Sequence, residues 1–483
     1  MKKILSLVLS IIIIFAFCTT VSAENDYGNA YDAILQSLLN YDERIDISSY
    51  RLPASEFENG FESFIRNHTE LFYVDRGCMY SQNGAGNVVY ILFDYIYTPE
   101  ECAEISAYLS SEANRIISIM PKNLSDTEKA LFLHDYICLN FEYDCIVDMA
   151  EGTYYVDTEN CIYDYPTMLM TGRGVCEAYS SLYKFLLEKV GIESRIVTSL
   201  GIVHAWNEIK LGDSWYYVDV TWDDPIPDTT NRALHKYFLL SENAFLSDGK
   251  HLVKVSETSG YKDFTAEYPC TDTRYDNLSW HSVNKGICIA DGGAYVLADV
   301  STGVFAINKL DIETGDVQTV KTVDSLWYGS SRKSSYYQVN FSALIPFKGK
   351  IIFNTYSGIN CFDPLTGTVT ETFVPDISGG IFEIYKKDGK LYYGVTDNGY
   401  TNLDYSSTGL AASAGIIYGD FDKNGTFDSD DLIYACQLYA GMITLSDVSL
   451  IDVDGSGAFD ASDLIFMCQR NAELITVWPG ELE

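Results

Sequence analysis

Apolar residues recur at helical spacing in one stretch of this chain and alternate with polar ones directly after it. Ala178, Leu182, Phe185, Leu186 and Val190 form one stripe of a predicted helix, and Gly191 stops it. A strand is predicted over Glu193 to Leu200. A hairpin follows, Val203 to Lys210 and Trp215 to Trp222, around a turn at Leu211-Gly212-Asp213. A loop of even length, such as Lys210 to Asp213, keeps His204 and Asp219 on one face and roughly opposite each other. The other face then carries Val203, Ala205 and Ile209 against Tyr216, Val218, Val220 and Trp222, an apolar set. Upstream, residues 24–120 alternate helical stretches (Tyr31 to Leu39, Pro99 to Ile119) with strands around Val88 to Tyr97, and are expected to support the segment that follows.

Residues 265–400 read as short strands and turns. Leu310-Asp311-Ile312-Glu313-Thr314-Gly315 returns as Phe362-Asp363-Pro364-Leu365-Thr366-Gly367, and Lys348-Gly349-Lys350 as Asp388-Gly389-Lys390. Such periods belong to propeller blades, but the stretch has room for about three where closed propellers take at least four. An open propeller-like or sandwich module is predicted. Residues 401–414, rich in Ser, Thr, Ala and Gly, read as a linker.

The last sixty or so residues hold one loop twice. Asp420, Asp422, Asn424, Gly425, Asp428 and Asp431 stand at positions 1, 3, 5, 6, 9 and 12, and Asp452, Asp454, Ser456, Gly457, Asp460 and Asp463 repeat them. Over the 18 residues from Asp420 and from Asp452, ten are identical, which points to duplication. A hard cation such as calcium takes six to eight oxygens, and alternate carboxylates with a Gly at the sharp turn deliver them. The position-7 carbonyls of Thr426 and Ala458 complete each set. A loop followed by one helix, twice, over residues 415–476, resembles a type I dockerin. That resemblance implies two structural calcium ions, a cohesin module of a scaffoldin as partner, and a cellulosome setting.

The N-terminus has Lys2 and Lys3, an apolar run from Ile4 to Phe17, then Val21-Ser22-Ala23. This pattern reads as a secretory signal peptide over residues 1–23, too short to span a bilayer, and no later apolar run is long enough for a membrane helix. A length of 483 residues suggests about three domains at ~150 residues each. The net charge of −36 argues against a nucleic-acid partner, since phosphate binding needs a basic surface. Beyond Cys18 the cysteines show no disulfide framework and are expected mostly as buried thiols, with Cys436 and Cys468 as small core residues at equivalent helix positions.

Cys176 needs another account. It falls in the first turn of the predicted helix, where free amides and the helix dipole favour a thiolate, the nucleophilic form. A His to take the thiol proton and an acid to orient the imidazole complete a cysteine enzyme's machinery, and His204 and Asp219 occupy suitable places. Backbone amides near Cys176 suit an oxyanion. Asp223 and Asp224 are alternatives for the acid, set back by the turn after Trp222. His134 reads as structural, and His235 and His251 join no constellation. The segments GVCEAYSSLYKFLL, HAWNEI and WYYVDVTWDDP, with SDTEKALFLHDYICLNFEYD upstream, resemble the transglutaminase-like superfamily. The resemblance implies a papain-like fold over residues 121–250, with Cys176 as nucleophile, His204 as base and Asp219 as orienting acid, acting on a protein or peptide substrate without a catalytic metal. The expectation is therefore a multidomain α+β chain: a papain-like transglutaminase core, an all-β propeller-like or sandwich module, and a small α-helical calcium-binding dockerin.

Overall fold

The computed structural model describes residues 27–148, 153–158, 160–228, 231–256, 259–264, 266–325, 327–328, 335–336, 341–347, 349–373, 380–387, 390–395, 412–413, 427, 429–440, 442, 452–453 and 459–471. The segment read as a signal peptide lies outside them. The chain divides into two compact units, Met1–Cys102 and Ala103–Glu483.

In the first unit, helices Gly28–Leu39 and Ala54–Asn67 accompany a three-stranded antiparallel sheet. Its middle strand is Val88–Tyr95, flanked by Arg44–Asp46 and Val74–Gln82. Ile34, Leu38, Phe57, Ile45, Ile91 and Phe93 close one core. Both helices carry apolar residues on one stripe, which is the face they bury.

The second unit holds the segment with the chemistry. Helix Asp126–Asn140 starts with a complete capping box: the Glu128 amide donates to Ser125 Oγ at 3.2 Å, and the Ser125 amide donates to Glu128 Oε2 at 2.8 Å. Helix Cys176–Lys189 is buried along almost its whole length. Beside it lies an antiparallel sheet in the order Ser194–Ser199, His204–Leu211, Ser214–Val218, with His204–Leu211 in the middle. Asn207 Nδ2 donates to the Ser180 carbonyl at 3.0 Å and ties strand to helix. On the other face Trp206, Trp215 and Tyr217 pack with Tyr237, Phe245, Phe264 and Cys270. Both faces of this sheet are therefore covered, where alternation predicted one apolar face and one open polar one.

From Cys288 onward the described residues form antiparallel meanders. One four-stranded sheet runs Cys288–Ala290, Gly293–Ser301, Val304–Leu310, Val317–Asp324; a second runs Leu344–Phe347, Lys350–Asn354, Ile359–Asp363, Thr368–Phe373. The repeated aspartate turns join the third and fourth strands of each. Asp311 Oδ1 and Asp363 Oδ1 both accept two amide hydrogen bonds, and Gly315 and Gly367 both adopt positive φ, +74° and +71°. A third sheet holds Ile381–Lys387 and Lys390–Val395, and Ala412–Ser413 pairs with Tyr392 and Tyr393 inside the stretch read as a linker. The rest of that stretch lies outside the described residues. Phe305, Ile307, Ile351 and Phe353 share one core and Ile352, Ile359, Ile381 and Ile384 another, so the second sheet buries residues with both of its neighbours.

Near the C-terminus, helices Ser429–Tyr439 and Ala461–Asn471 share a small core of Ala435, Val453 and Met467. Cys436 and Cys468 are exposed, which corrects their reading as core residues. The helix stripe instead buries Ala435 and Met467, each one position earlier. All eleven cysteines of the described chain are free thiols, with Cys102, Cys138, Cys145, Cys270 and Cys288 buried. Among the described residues no helix is long and apolar enough to cross a membrane.

Candidate active site

Cys176 opens its helix, with Val175 as a cap that offers no side-chain hydrogen bond. The first-turn amides of a helix have no partner inside it, so the Cys176 sulfur sits beside donors that can receive negative charge. Cys176 is partly exposed. The strand Arg173–Gly174 that leads into it pairs in parallel with Glu142–Tyr143, fixing the approach to the helix. Gly174 leaves no room for a side chain there: a Cβ would lie 2.8 Å from both Ala178 Cβ and Met168 Sδ.

His204 begins the middle strand. Its Nε2 donates to Asp219 Oδ2 at 2.7 Å, and the Cys176 side chain acts on the same imidazole, raising its basicity. Since Asp219 occupies Nε2, Nδ1 is the ring nitrogen left for the thiol. Burial opposes a charge on His204, but the Asp219 carboxylate, with Cys176, outweighs it and raises the imidazole from 6.5 to about 10. Asp219 is wholly buried. Burial again works against its charge, and His204 with His251 reverses that, holding the carboxyl well below the usual range. The ring of Trp222 stacks on His204, 4.6 Å between centroids and 15° between planes.

The register differs from the expected one in detail. Leu211 faces Ser214 across a two-residue turn, Gly212-Asp213, and Asn207 faces Val218. His204 and Asp219 thus share a face as diagonal neighbours, not as a directly opposed pair. Ala205, Ile209, Tyr216, Val218 and Val220 are buried as predicted. Val203 is not: it lies outside the strand, 84% exposed, with φ +51°. The second strand also stops at Val218. Residues Val220–Asp223 turn into a helix that Asp219 caps, its Oδ1 accepting the Trp222 amide at 3.0 Å. One carboxylate thereby caps a helix with one oxygen and orients the imidazole with the other.

The alternative acids are accounted for elsewhere. Asp223 accepts the Tyr237 amide and faces His134 Nε2 at 3.3 Å; Asp224 accepts the Tyr179 hydroxyl, and burial pushes its carboxyl up. Among the described hydrogen bonds it is Asp219 that meets His204.

Two histidines without a place in the sequence reading are buried against carboxylates. His251 Nε2 lies 2.9 Å from Asp219 Oδ2, the oxygen that also accepts from His204. His235 Nε2 lies 2.9 Å from Asp135 Oδ1, which His134 Nδ1 also approaches at 2.8 Å. No short-range signal marks either residue, because the partners are 32 and 100 positions away in the chain. Each trio has donor atoms close enough for a metal, but both nitrogens of His134 point at carboxylates, and although burial works against its charge those hydrogen bonds raise the ring from 6.5 to about 9. A ring that donates from both nitrogens has no lone pair for a cation. This trio is a staple: His235 Nδ1 bonds the Val283 carbonyl, and Asp135 Oδ2 accepts the Ile287 amide, so it joins helix Asp126–Asn140 to the approach to the first meander.

Comparison with known proteins bears on the same stretch of the chain. The model of the transglutaminase-like superfamily matches residues 115–220, a stretch that takes in Cys176, His204 and Asp219. The chain carries a transglutaminase-like domain. The domain is similar to part of kyphoscoliosis peptidase of Mus musculus, at 25% identity over 200 residues, which is 38% of this chain and 29% of that protein. This chain thus spans less than a third of that relative's length. A solved structure described as a crystal structure of a TGase matches at 13% identity over 35% of this chain and 48% of that one, with a TM-score of 0.20, too slight a likeness to bear on the fold.

The second candidate site, the duplicated loop, lies largely outside the described residues: Asp420, Asp422, Asn424, Thr426, Asp428, Asp454, Ser456 and Ala458 are among those not described. Asp431, Asp452 and Asp463 are described and buried. The Asp460 amide donates to Asp463 Oδ2 at 2.8 Å, and the Ser462 amide to Asp460 Oδ1 at 2.6 Å. Buried carboxylates are the donor type a calcium ion takes.

Proposed function

We propose that this chain is a secreted cysteine enzyme that cleaves peptide or side-chain amide bonds, and that a dockerin binding two calcium ions docks it on a cohesin module of a scaffoldin engaged in plant polysaccharide degradation. The observation that carries the enzymatic part is the His204 imidazole, which bonds the Asp219 carboxylate at 2.7 Å and is made more basic by Asp219 and by Cys176. In this reading His204 takes the thiol proton and Cys176 attacks the amide carbonyl. The carbonyl electrons move to oxygen, where the first-turn amides stabilise them. Collapse breaks the C–N bond, His204 returns its proton to the leaving amine, and a thioester remains on Cys176. Water then attacks with His204 as base, releasing the carboxylic acid; in a transferase an amine takes the place of water.

Hydrolysis is the favoured outcome, since the mouse relative is named a peptidase and nothing in the sequence marks an amine acceptor site. The intact Cys, His and Asp set weighs against the rival reading, a binding component that keeps only the fold. A peptide-library digest comparing wild type with Cys176→Ala, scored for cleavage and for glutamine-to-amine transfer, tests the proposal. Cleavage by wild type alone is expected, and identical behaviour of the two proteins sinks the enzymatic claim. The tail is tested separately by calorimetric titration of the chain with calcium, where about two ions per molecule are expected and no uptake rules the dockerin out.

A further inference from the structure

Asp219 is held by a residue beyond the stretch matched to the transglutaminase-like superfamily. Its Oδ2 faces two imidazoles, His204 at 2.7 Å and His251 at 2.9 Å, while Oδ1 accepts the Trp222 amide. A carboxylate with a donor removed can turn about its side-chain bonds, and the one donor here that touches neither Cys176 nor the backbone is His251.

His251 is itself fully buried in an aromatic cage. Its ring centroid lies 3.7 Å from that of Phe245, 4.1 Å from Trp222, 5.0 Å from Tyr237 and 5.3 Å from Trp206. Burial there disfavours a charged ring by desolvation, and the nearby His204 disfavours it again, against the pull of Asp219. Asp248, the other acid near the ring, is already engaged by Lys236 Nζ and the Tyr237 hydroxyl, each at 2.6 Å. A neutral imidazole has one N–H, and contact with a carboxylate places it on Nε2; Nδ1 is buried without a hydrogen-bond partner. Neutrality matters because a charged His251 would compete with His204 for the same oxygen. A neutral donor fixes the carboxylate and leaves its charge to His204.

We infer that His251 is a positioning residue: it locks the Asp219 carboxylate in the orientation that faces His204, and so sustains the imidazolium on which a thiolate at Cys176 depends. This rests on the cysteine-enzyme reading above. It assigns a role to an arrangement of one acid between two rings, both donating to it, of which only His204 is charged.

The test is the pH dependence of iodoacetamide alkylation at Cys176 in the full chain, followed by peptide mass mapping, for wild type and for His251→Phe, His251→Asn and His251→Gln. The Gln amide nitrogen reaches the place of Nε2, whereas the Asn nitrogen stops near that of Nδ1. Wild type should label fast from pH 6 to 8. The Phe and Asn chains should label about tenfold more slowly at pH 6, an acid limb moved up by about one unit, and Gln should restore the rate to within about threefold. A merely structural role predicts lower melting temperatures with an unmoved profile. A wild-type profile in His251→Asn overturns the proposal, and the Asn and Gln pair decides the matter if His251→Phe does not fold. Slow labelling of wild type across the whole range overturns the enzyme reading instead, so the two failures are distinct.

Discussion

At the scale of single residues, the site depends on charge held where burial opposes it. His204 and Asp219 stabilise each other's charged forms against desolvation, and removing the acid leaves the imidazole with only Cys176 set against burial. Asp219→Asn should slow Cys176 alkylation at neutral pH by about tenfold, toward the rate of an ordinary thiol; a rate near that of wild type would remove Asp219 from the mechanism. Cys176, His204 and Asp219 were legible in the sequence because residue type, helix start and strand alternation all converge on them. His251 and His235 were not, since each finds its carboxylate through the fold and neither stands in a periodic pattern. Val203 was misread for a related reason: alternation assigns it a face, but the chain leaves the strand just before His204 and turns it outward with φ +51°.

At the scale of elements, local signals proved most dependable where backbone chemistry is explicit. The capping box at Ser125 and Glu128 went unread in the sequence, and Ser125→Ala should destabilise helix Asp126–Asn140 by about 1 kcal/mol, read as a lower denaturation midpoint of the transglutaminase-like domain. The duplicated turns are one signal that was read. Gly315 and Gly367 share a left-handed conformation, which costs a residue with a Cβ about 1–2 kcal/mol. Their surroundings differ: a Cβ on Gly315 would meet Leu278 Cβ and Ser279 N at 3.1 Å, while one on Gly367 has nothing within 4 Å. Gly315→Ala should therefore lower the melting temperature more than Gly367→Ala, and equal losses would show that the crowding is relieved without penalty. The ends of elements were less legible. The second hairpin strand was expected to run to Trp222 and stops at Val218, because Asp219 prefers to cap a helical turn.

At the scale of the whole molecule, the protonation of buried groups sets a pH window. His134 and His204 are raised from 6.5 to about 9 and about 10, so they bind protons more tightly folded than unfolded. The stability they add is complete below about pH 6.5 and drains away as pH climbs through 9 and 10. Asp135, opposed by burial but lowered by His235 and His134 from 3.8 to about 2, adds stability above about pH 4 that is lost as pH falls through 2. Thermal midpoints followed by tryptophan fluorescence should form a plateau between these limits and fall on the alkaline side between about pH 8 and 10; a flat alkaline side would contradict the charged state given to both rings. The mixed α/β, multidomain character was legible from periodicity. The packing of successive meanders on one another was not, because which sheet faces which is set by contacts far apart in sequence.

The central claim is that His204 and Asp219 activate Cys176. Its most direct measurement is the site-resolved rate of iodoacetamide labelling near pH 7, with the exposed thiols Cys436 and Cys468 of the same chain as internal references. The expected result is labelling of Cys176 at least about tenfold faster than either reference, as a thiolate reacts where a thiol does not, falling to their rate in His204→Ala. Labelling of Cys176 no faster than Cys436 and Cys468, or fast labelling that survives the loss of His204, would contradict it.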